Sequence, residues 1–364
     1  MLKNRLVEIE IARFFALIAV LCVHLTSSGI VNSSEQSIYF YIYTALNSFG
    51  RLGVPVFYLL SGLVLFYSYY KRPFTIETMK DFYKKRIKFI VVPYVVICLL
   101  YFIYKTVINA YVAGTSVQFS GVTFLKDLTS GGTFFHLYFL FVLIQFYLVF
   151  PLILWFVKKV TSNVWVVSLL ALIVQFGWYI INKNYIHFEH RAIVFLTYFA
   201  FFVIGGILGV NYKQMMANMK QWVRIVFVLL FMASLVVVVK YDILLQLYAR
   251  TGVYADIFKY QYGFDIIWTS LGLFAALGLI AIGQWVTDLK MPKLNKFFIF
   301  ISSISFGIYL AHPLFLSLCE VYLMLKQPFI HTWVLMMVPT VVILSVVASY
   351  ILKKWKYGWI FIGK

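Results

Sequence analysis

Apolar residues form ten long runs along the chain, separated by short polar segments. Each run is close to the ~20 residues that a helix needs to cross ~30 Å of hydrocarbon. The pattern therefore predicts an all-α integral membrane protein with about ten transmembrane helices. An even number of crossings places both termini on the same side of the membrane. The predicted spans are residues 9–30, 52–70, 89–108, 135–157, 163–181, 191–210, 222–240, 264–285, 297–319 and 331–352.

The composition excludes an ordinary soluble domain. Of 364 residues, 63% are hydrophobic and 12% are charged, and the mean hydropathy of +0.92 is far above that of soluble globular proteins. The longest polar interruptions, residues 109–134 and 241–263, are too short for a separate domain. We therefore expect one membrane domain over residues 1–364. Both interruptions suit either contact with a sugar polymer or ordinary loops with an interfacial aromatic belt.

The net charge of +19 follows a topological pattern. If the N-terminus is cytoplasmic, about two thirds of the lysines and arginines fall in cytoplasmic segments, as the positive-inside rule requires. This distribution predicts that both termini are cytoplasmic. It also makes the lipid bilayer, and no nucleic acid, the partner of the basic charge.

The first span carries two polar residues that are costly in hydrocarbon, Arg13 and His24. They lie eleven positions apart, which is almost three helical turns and about 16 Å along the axis, so both project from nearly the same face. Glu10 precedes Arg13 by three residues and is placed for an i,i+3 ion pair. In a plain structural interpretation, Arg13 extends to the membrane boundary and His24 hydrogen-bonds a neighbouring helix.

A functional interpretation of the same pair is also open. Histidine titrates near neutrality, so neutral His24 could take a proton from a hydroxyl that attacks an activated carbonyl. Arg13 stays charged and is therefore a candidate for binding or orienting an anion.

Two further motifs stand out, one at the start of the second span and one leading into the third. In "FGRLGVPVFYLLSGLVLF", Ser61 and Gly62 would permit close helix packing, with direct chemistry as the alternative role, and Gly50 and Gly53 would allow a tight turn. In "DFYKKRIKFIVVPY", a basic run precedes the third span. It is explained either by topology or by binding of a cofactor's phosphates; its residues include Lys84, Lys85, Arg86 and Lys88.

For other polar residues in the spans, the sequence favours a role in a functional site and a role in helix packing equally. His136 and Gln145 belong to the fourth span, and Tyr309 and His312 to the "SFGIYLAHP" motif of the ninth. No two histidines lie four residues apart on one helix, so the sequence predicts no metal site.

Together these motifs resemble the membrane acyltransferase type-3 family, and within it the intercellular-adhesin biosynthesis membrane proteins. The resemblance rests on Arg13 and His24 with ten residues between them, on "GRLGVPVFYLLSG", on "YKKRIKFIVVPY" and on "GIYLAHP". It implies ten core helices in the bacterial cytoplasmic membrane. It also implies transfer of an acetyl or succinyl group from cytoplasmic acyl-CoA (acetyl-CoA or succinyl-CoA) to a cell-surface glycan, here a polymer of N-acetylglucosamine.

The resemblance also assigns roles to residues. It implies that His24 is the catalytic histidine, with Arg13 as its partner, and that Glu10 fills a position usually held by Asp. The family commonly carries two arginines three residues apart before the third span. Arg86 matches the first, but Phe89 stands at the second, while Lys85 and Lys88 keep the spacing as lysines.

Two other functional classes compete with the enzyme. A polysaccharide exporter or flippase would use the arginine and histidine to bind anions or relay protons. A purely structural subunit of a polysaccharide synthase complex would tolerate apolar residues at both positions.

Overall fold

The structure is a computed structural model that describes residues 6–253, 262–323 and 330–363. Part of the second polar interruption, residues 254–261, lies outside the described residues. Within the described ranges the chain is helical, and nine helices are long and apolar enough to cross a membrane. The principal helices are α1 (Val7–Val31), α2 (Ile38–Gly50), α3 (Gly53–Tyr69), α4 (Ile76–Arg86), α5 (Val92–Ala113), α6 (Gly121–Ser130), α7 (Tyr138–Lys159), α8 (Val164–Ile181), α9 (Phe199–Val210), α10 (Tyr212–Ala217), α11 (Gln221–Thr251), α12 (Gly263–Asp288), α13 (Pro292–Leu323), α14 (Ile330–Lys354) and α15 (Trp359–Ile362). The prediction of an all-α multi-pass membrane protein is confirmed.

The helices form two compact units. The first contains Met1–Leu60 and Tyr212–Val346, and the second contains Ser61–Asn211 and Val347–Lys364. Each unit has its own apolar core, and each is described separately below.

In the first unit, α1 is packed by α2, α12 and α13. Its first turn carries Glu8 and Glu10, where carboxylates interact favourably with the helix dipole. At its other end, the Arg250 guanidinium donates to the carbonyl oxygens of Ile30 and Ser33, at 2.6 and 2.7 Å. These bonds satisfy carbonyls that a helix end would otherwise leave without partners.

The connection between α2 and α3 lies tightly against α1. A Cβ atom on Gly50 would lie 2.5 Å from the backbone nitrogen of Val23, and one on Gly53 would lie 2.9 Å from the carbonyl oxygen of Ala16. Neither glycine has a positive φ angle. The two glycines flank a two-residue turn at Arg51 and Leu52, as predicted, and their lack of a side chain lets this turn pack closely on α1.

In the second unit, α3 crosses α9 closely. A Cβ atom on Gly62 would overlap the carbonyl oxygen of Phe202, and one on Gly206 would lie 2.6 Å from the Phe66 ring. This contact confirms the prediction that Gly62 permits close helix approach.

Several predicted boundaries differ from the structure, and the second and sixth spans differ in kind. The segment before the second span is helical, because α2 and α3 together cover Ile38–Tyr69. The sixth span is shorter than predicted: its apolar helical stretch covers Phe195–Val210. The Gln145 side chain accepts from the Phe195 N–H at 3.1 Å and donates to the Ile193 carbonyl at 2.7 Å. Gln145 thereby fixes the irregular segment that precedes α9.

Candidate active site

One end of α1 carries a small charged cluster in the first unit. Arg13 Nη1 lies 2.8 Å from Glu10 Oε2, which confirms the predicted i,i+3 ion pair. Ser302 of α13 donates its hydroxyl to the same carboxylate oxygen and lies 3.5 Å from Arg13 Nη1. The guanidinium is thus held by a neighbouring carboxylate and lies against α13.

Further along α1, His24 lies beside His312 of α13. The centroids of the two imidazole rings are 5.3 Å apart, and the ring planes are inclined by 31°. His312 is fully buried and its Nδ1 lies 3.1 Å from the carbonyl oxygen of Ile308. A carbonyl oxygen only accepts, so this bond places a proton on Nδ1 and leaves Nε2 of a neutral ring as an acceptor. The Tyr309 ring is buried with its centroid 5.9 Å from that of His312.

These contacts show that α1 and α13 run in the same direction. Arg13 meets Ser302 and His24 meets His312, so residue numbers rise along both helices together. Each crossing reverses the direction of the chain. Two spans therefore point the same way only when an odd number of other spans lies between them in the sequence. The number of spans between α1 and α13 is odd when the short Phe195–Val210 helix also crosses the membrane, as the prediction of ten spans requires.

The turn of α1 around His24 is also held by α2. Asn47 donates its side-chain amide to the Val23 carbonyl at 2.7 Å and to the Ser27 hydroxyl at 3.2 Å. The amide therefore fixes the backbone that carries the His24 side chain. Neither Asn47 nor Ser302 belongs to a motif singled out from the sequence. Each stands beside a serine in an otherwise apolar stretch, and that polar pair is the signal that marks it.

A partly buried ion pair lies elsewhere in the first unit. Arg51 Nε is 2.8 Å from Asp242 Oδ2, and the Asp242 carboxylate also accepts from the Ser48 hydroxyl at 2.7 Å. Asp242 is only 3% exposed. The Arg51 guanidinium also lies over the Phe264 ring, 5.4 Å from its centroid.

The second unit holds the basic residues predicted to bind a donor's phosphates. Lys85 and Lys88 are exposed, but Arg86 is turned onto two aromatic rings, 5.3 Å from the centroid of Phe82 and 5.0 Å from that of Tyr147. Lys88 Nζ lies 4.8 Å from the centroid of Trp359. Arg86 is therefore held by aromatic packing, whereas Lys85 and Lys88 are exposed.

Phe89, which stands where the family commonly has an arginine, has an aromatic partner in the second unit. Its ring meets that of Trp359 edge-on, with centroids 6.1 Å apart. The side chain at this position thus contributes packing.

The remaining candidates of the second unit lie in packed surroundings. His136 is 1% exposed and its ring centroid lies 5.0 Å from that of Tyr101 and 5.9 Å from that of Phe134. Gln145 fixes the segment before α9, as described above. Ser61 is half-buried next to Gly62.

Residues 6–352 match the model of a protein family described as an acyltransferase domain. The chain belongs to this acyltransferase family. Membership confirms the resemblance drawn from the spacing of Arg13 and His24 and from the accompanying motifs.

Two named proteins are similar to this chain in sequence. This acyltransferase is 26% identical over 390 residues to the "Putative membrane-bound acyltransferase YfiQ" of Bacillus subtilis (strain 168), covering 98% of this chain and 94% of the relative. It is 26% identical over 278 residues to the "Probable poly-beta-1,6-N-acetyl-D-glucosamine export protein" of Staphylococcus aureus (strain MRSA252), covering 73% of this chain and 69% of the relative. No solved structure matches the acyltransferase significantly.

Proposed function

We propose that this membrane acyltransferase moves an acetyl or succinyl group from cytoplasmic acyl-CoA to a hydroxyl of an extracytoplasmic glycan, with His24 as the general base. The proposed acceptor is a polymer of N-acetylglucosamine, the sugar polymer in the name of the S. aureus relative. The cell-surface polysaccharide and the bilayer are then its partners, with a polysaccharide synthase complex as a further candidate.

One observation carries the proposal. Arg13 and His24 lie on one unbroken helix, both contact α13, and they are about 16 Å apart along the helix axis. A fixed cation and a titratable base thus occupy two depths of the same helix pair. Charged and titratable groups at such depths are costly and mark function by default.

The proposed chemistry needs one proton acceptor. The neutral imidazole of His24 removes the proton of the sugar hydroxyl while its oxygen bonds to the thioester carbonyl carbon. The carbon–sulfur bond then breaks, and the thiolate of CoA takes the proton from the imidazolium. The products are the sugar ester and free CoA, and His24 returns to its neutral form.

Arg13 is proposed to orient the donor. Its guanidinium keeps its charge at every pH of interest, and Glu10 with Ser302 fixes its position. In the second unit, Lys85, Arg86 and Lys88 are proposed to attract the phosphates of acyl-CoA through their combined field, which needs no convergence of the side chains.

The test is acyl transfer by the purified protein in lipid vesicles. Acetyl-CoA and succinyl-CoA are supplied separately with an N-acetylglucosamine oligosaccharide, and thiol release and sugar mass are followed together. We expect thiol release to match the gain of one acyl group per modified sugar. Thiol release without sugar modification would exclude the glycan as acceptor, and no thiol release with either donor would exclude acyl-CoA.

Export of a polysaccharide without chemistry is the second candidate, favoured by the name of the S. aureus relative. The two functions separate in cells that carry the His24→Ala variant. Loss of glycan acylation with continued export supports the transferase. Loss of export from cells whose glycan never carries acyl groups supports the exporter.

His312 is proposed to position His24 rather than to touch substrate. We expect His312→Ala to lower kcat by about 10–100-fold, as is typical when the partner that orients a functional histidine is removed. The KM for acyl-CoA should stay unchanged, because no donor contact is removed. Steady-state kinetics in vesicles check both values.

The alanine variant leaves a cavity at a fully buried position and could lose activity by misfolding. The His312→Asn variant separates that effect from the loss of positioning. The asparagine amide can still donate to the Ile308 carbonyl and should recover part of kcat. Equal kcat for wild type and His312→Ala would contradict the positioning role.

A further inference from the structure

A groove runs along α4 in the second unit. Its volume is about 850 Å³, and its apolar lining includes Phe74, Ile76, Met79, Ile87 and Val92. Ile76 is 76% exposed and Ile87 is 54% exposed. Large apolar side chains this exposed indicate a surface that is covered by lipid or by a ligand.

Lysines form a row along the same groove. Lys80, Lys84 and Lys88 follow one another at intervals of four residues, which keeps them on one side of a helix. Among the described residues that line the groove, no side chain is acidic. The groove therefore combines an apolar wall with a strip of positive charge about 12 Å long.

The helix that carries the groove is longer than the hydrocarbon is thick. α4, a π-helical turn at Ile87–Val91 and α5 form one continuous helix over Ile76–Ala113, 38 residues long. Only ~20 of these residues are needed to cross the hydrocarbon. The predicted apolar run begins at residue 89, so Lys88 lies at its edge and Lys84 and Lys80 lie one and two turns before it, where lipid headgroups are expected.

Two contacts hold α4 in this orientation. The Thr75 hydroxyl accepts from the Thr78 N–H at 3.3 Å and caps the start of the helix. The Tyr83 hydroxyl donates to the Leu148 carbonyl of α7 at 3.0 Å. The groove is thus a fixed feature of the second unit.

We propose that this groove binds an anionic phospholipid, with its acyl chain on the apolar wall and its phosphate beside Lys80, Lys84 and Lys88. The proposal does not depend on the acyl-transfer chemistry. Of the three lysines only Lys88 also belongs to the set proposed above to attract acyl-CoA, so Lys80 and Lys84 hold the lipid phosphate when acetyl-CoA is present. Basic pockets next to membrane helices bind anionic headgroups in this way. Acyl-CoA also carries phosphates, but the exposed apolar wall matches the long hydrocarbon chain of a lipid.

The test is native mass spectrometry of the purified full chain with dioleoyl phosphatidylglycerol. We expect the wild type to retain phosphatidylglycerol in preference to phosphatidylcholine. In the K80Q/K84Q/K88Q variant, affinity for phosphatidylglycerol should fall about 10–100-fold, because each basic residue near an anionic headgroup contributes to binding. A matched control is K220Q/K293Q/K296Q, which removes the same charge at three exposed lysines of the first unit.

Two further measurements complete the test. The K80R/K84R/K88R variant keeps the charge and should retain phosphatidylglycerol, which separates loss of charge from misfolding. Saturating acetyl-CoA should leave the bound lipid in place. The proposal is wrong if the glutamine variant binds phosphatidylglycerol as the wild type does, or if acetyl-CoA displaces the lipid from the wild type.

Discussion

The variant His24→Ala is expected to lower acyl transfer about 10²–10⁴-fold, the range over which a positioned general base accelerates a reaction. Removing the imidazole takes away the group proposed to accept the hydroxyl proton, whereas the Glu10–Arg13–Ser302 cluster nearer the start of the helix remains intact. The measurement is the rate of thiol release from acyl-CoA in vesicles that contain an oligosaccharide acceptor.

The control for this prediction is a second histidine of the same chain. His190 is exposed in the segment before Arg191, so His190→Ala should change the rate by less than twofold, roughly the effect of a neutral surface substitution. Full transfer by the His24→Ala protein would show that His24 is not the base. Equal losses in both variants would point to a general defect of the preparation.

Measuring acyl-CoA binding by the His24→Ala protein separates an effect on the chemical step from an effect on donor binding. If it acts as a base, acyl-CoA should bind the His24→Ala protein with nearly wild-type affinity while turnover is lost, since the missing interaction belongs to the transition state. If Arg13 orients the donor, Arg13→Gln should instead weaken donor binding.

Local sequence information was sufficient for much of the fold. A run of about 20 apolar residues needs a helix in lipid regardless of its neighbours, because every backbone polar group must be satisfied within the segment. The Glu10–Arg13 pair is equally local, since i,i+3 neighbours on a helix always meet. Both predictions needed no knowledge of tertiary packing.

Contacts between distant segments could not be predicted in this way. His24 meets His312, and Arg51 meets Asp242, although residues 61–211 of the second unit lie between the members of each pair in the sequence. The motifs mark His24 and His312 separately, but only the packing of α1 on α13 brings them together. The different orientations of Lys85 and Arg86 also depend on packing, because the rings of Phe82 and Tyr147 hold only the arginine.

Arg51→Met is expected to destabilise the protein by about 2–4 kcal/mol, somewhat less than the loss typical of fully buried pairs. The Asp242 carboxylate is 3% exposed and would lose the guanidinium whose Nε lies 2.8 Å away, while the Ser48 hydroxyl would remain as a hydrogen-bond donor. The Arg51 side chain is itself 30% exposed, so water screens the pair and lowers the cost below that of a fully buried pair. The free energy of unfolding in mixed detergent micelles measures the effect.

The double variant R51M/D242N distinguishes a lost ion pair from lost packing. Asparagine at position 242 carries no charge and can still accept from Ser48, so most of the lost stability should return.

The Arg224–Asp288 pair offers a matched control: its N–O distance is similarly short, at 2.6 Å, but Asp288 is 64% exposed. Its R224M variant should cost less than about 1 kcal/mol, as exposed ion pairs do. If R51M and R51M/D242N were equally unstable, the buried charge would not be the cause, and the contact of Arg51 with the Phe264 ring would explain the loss.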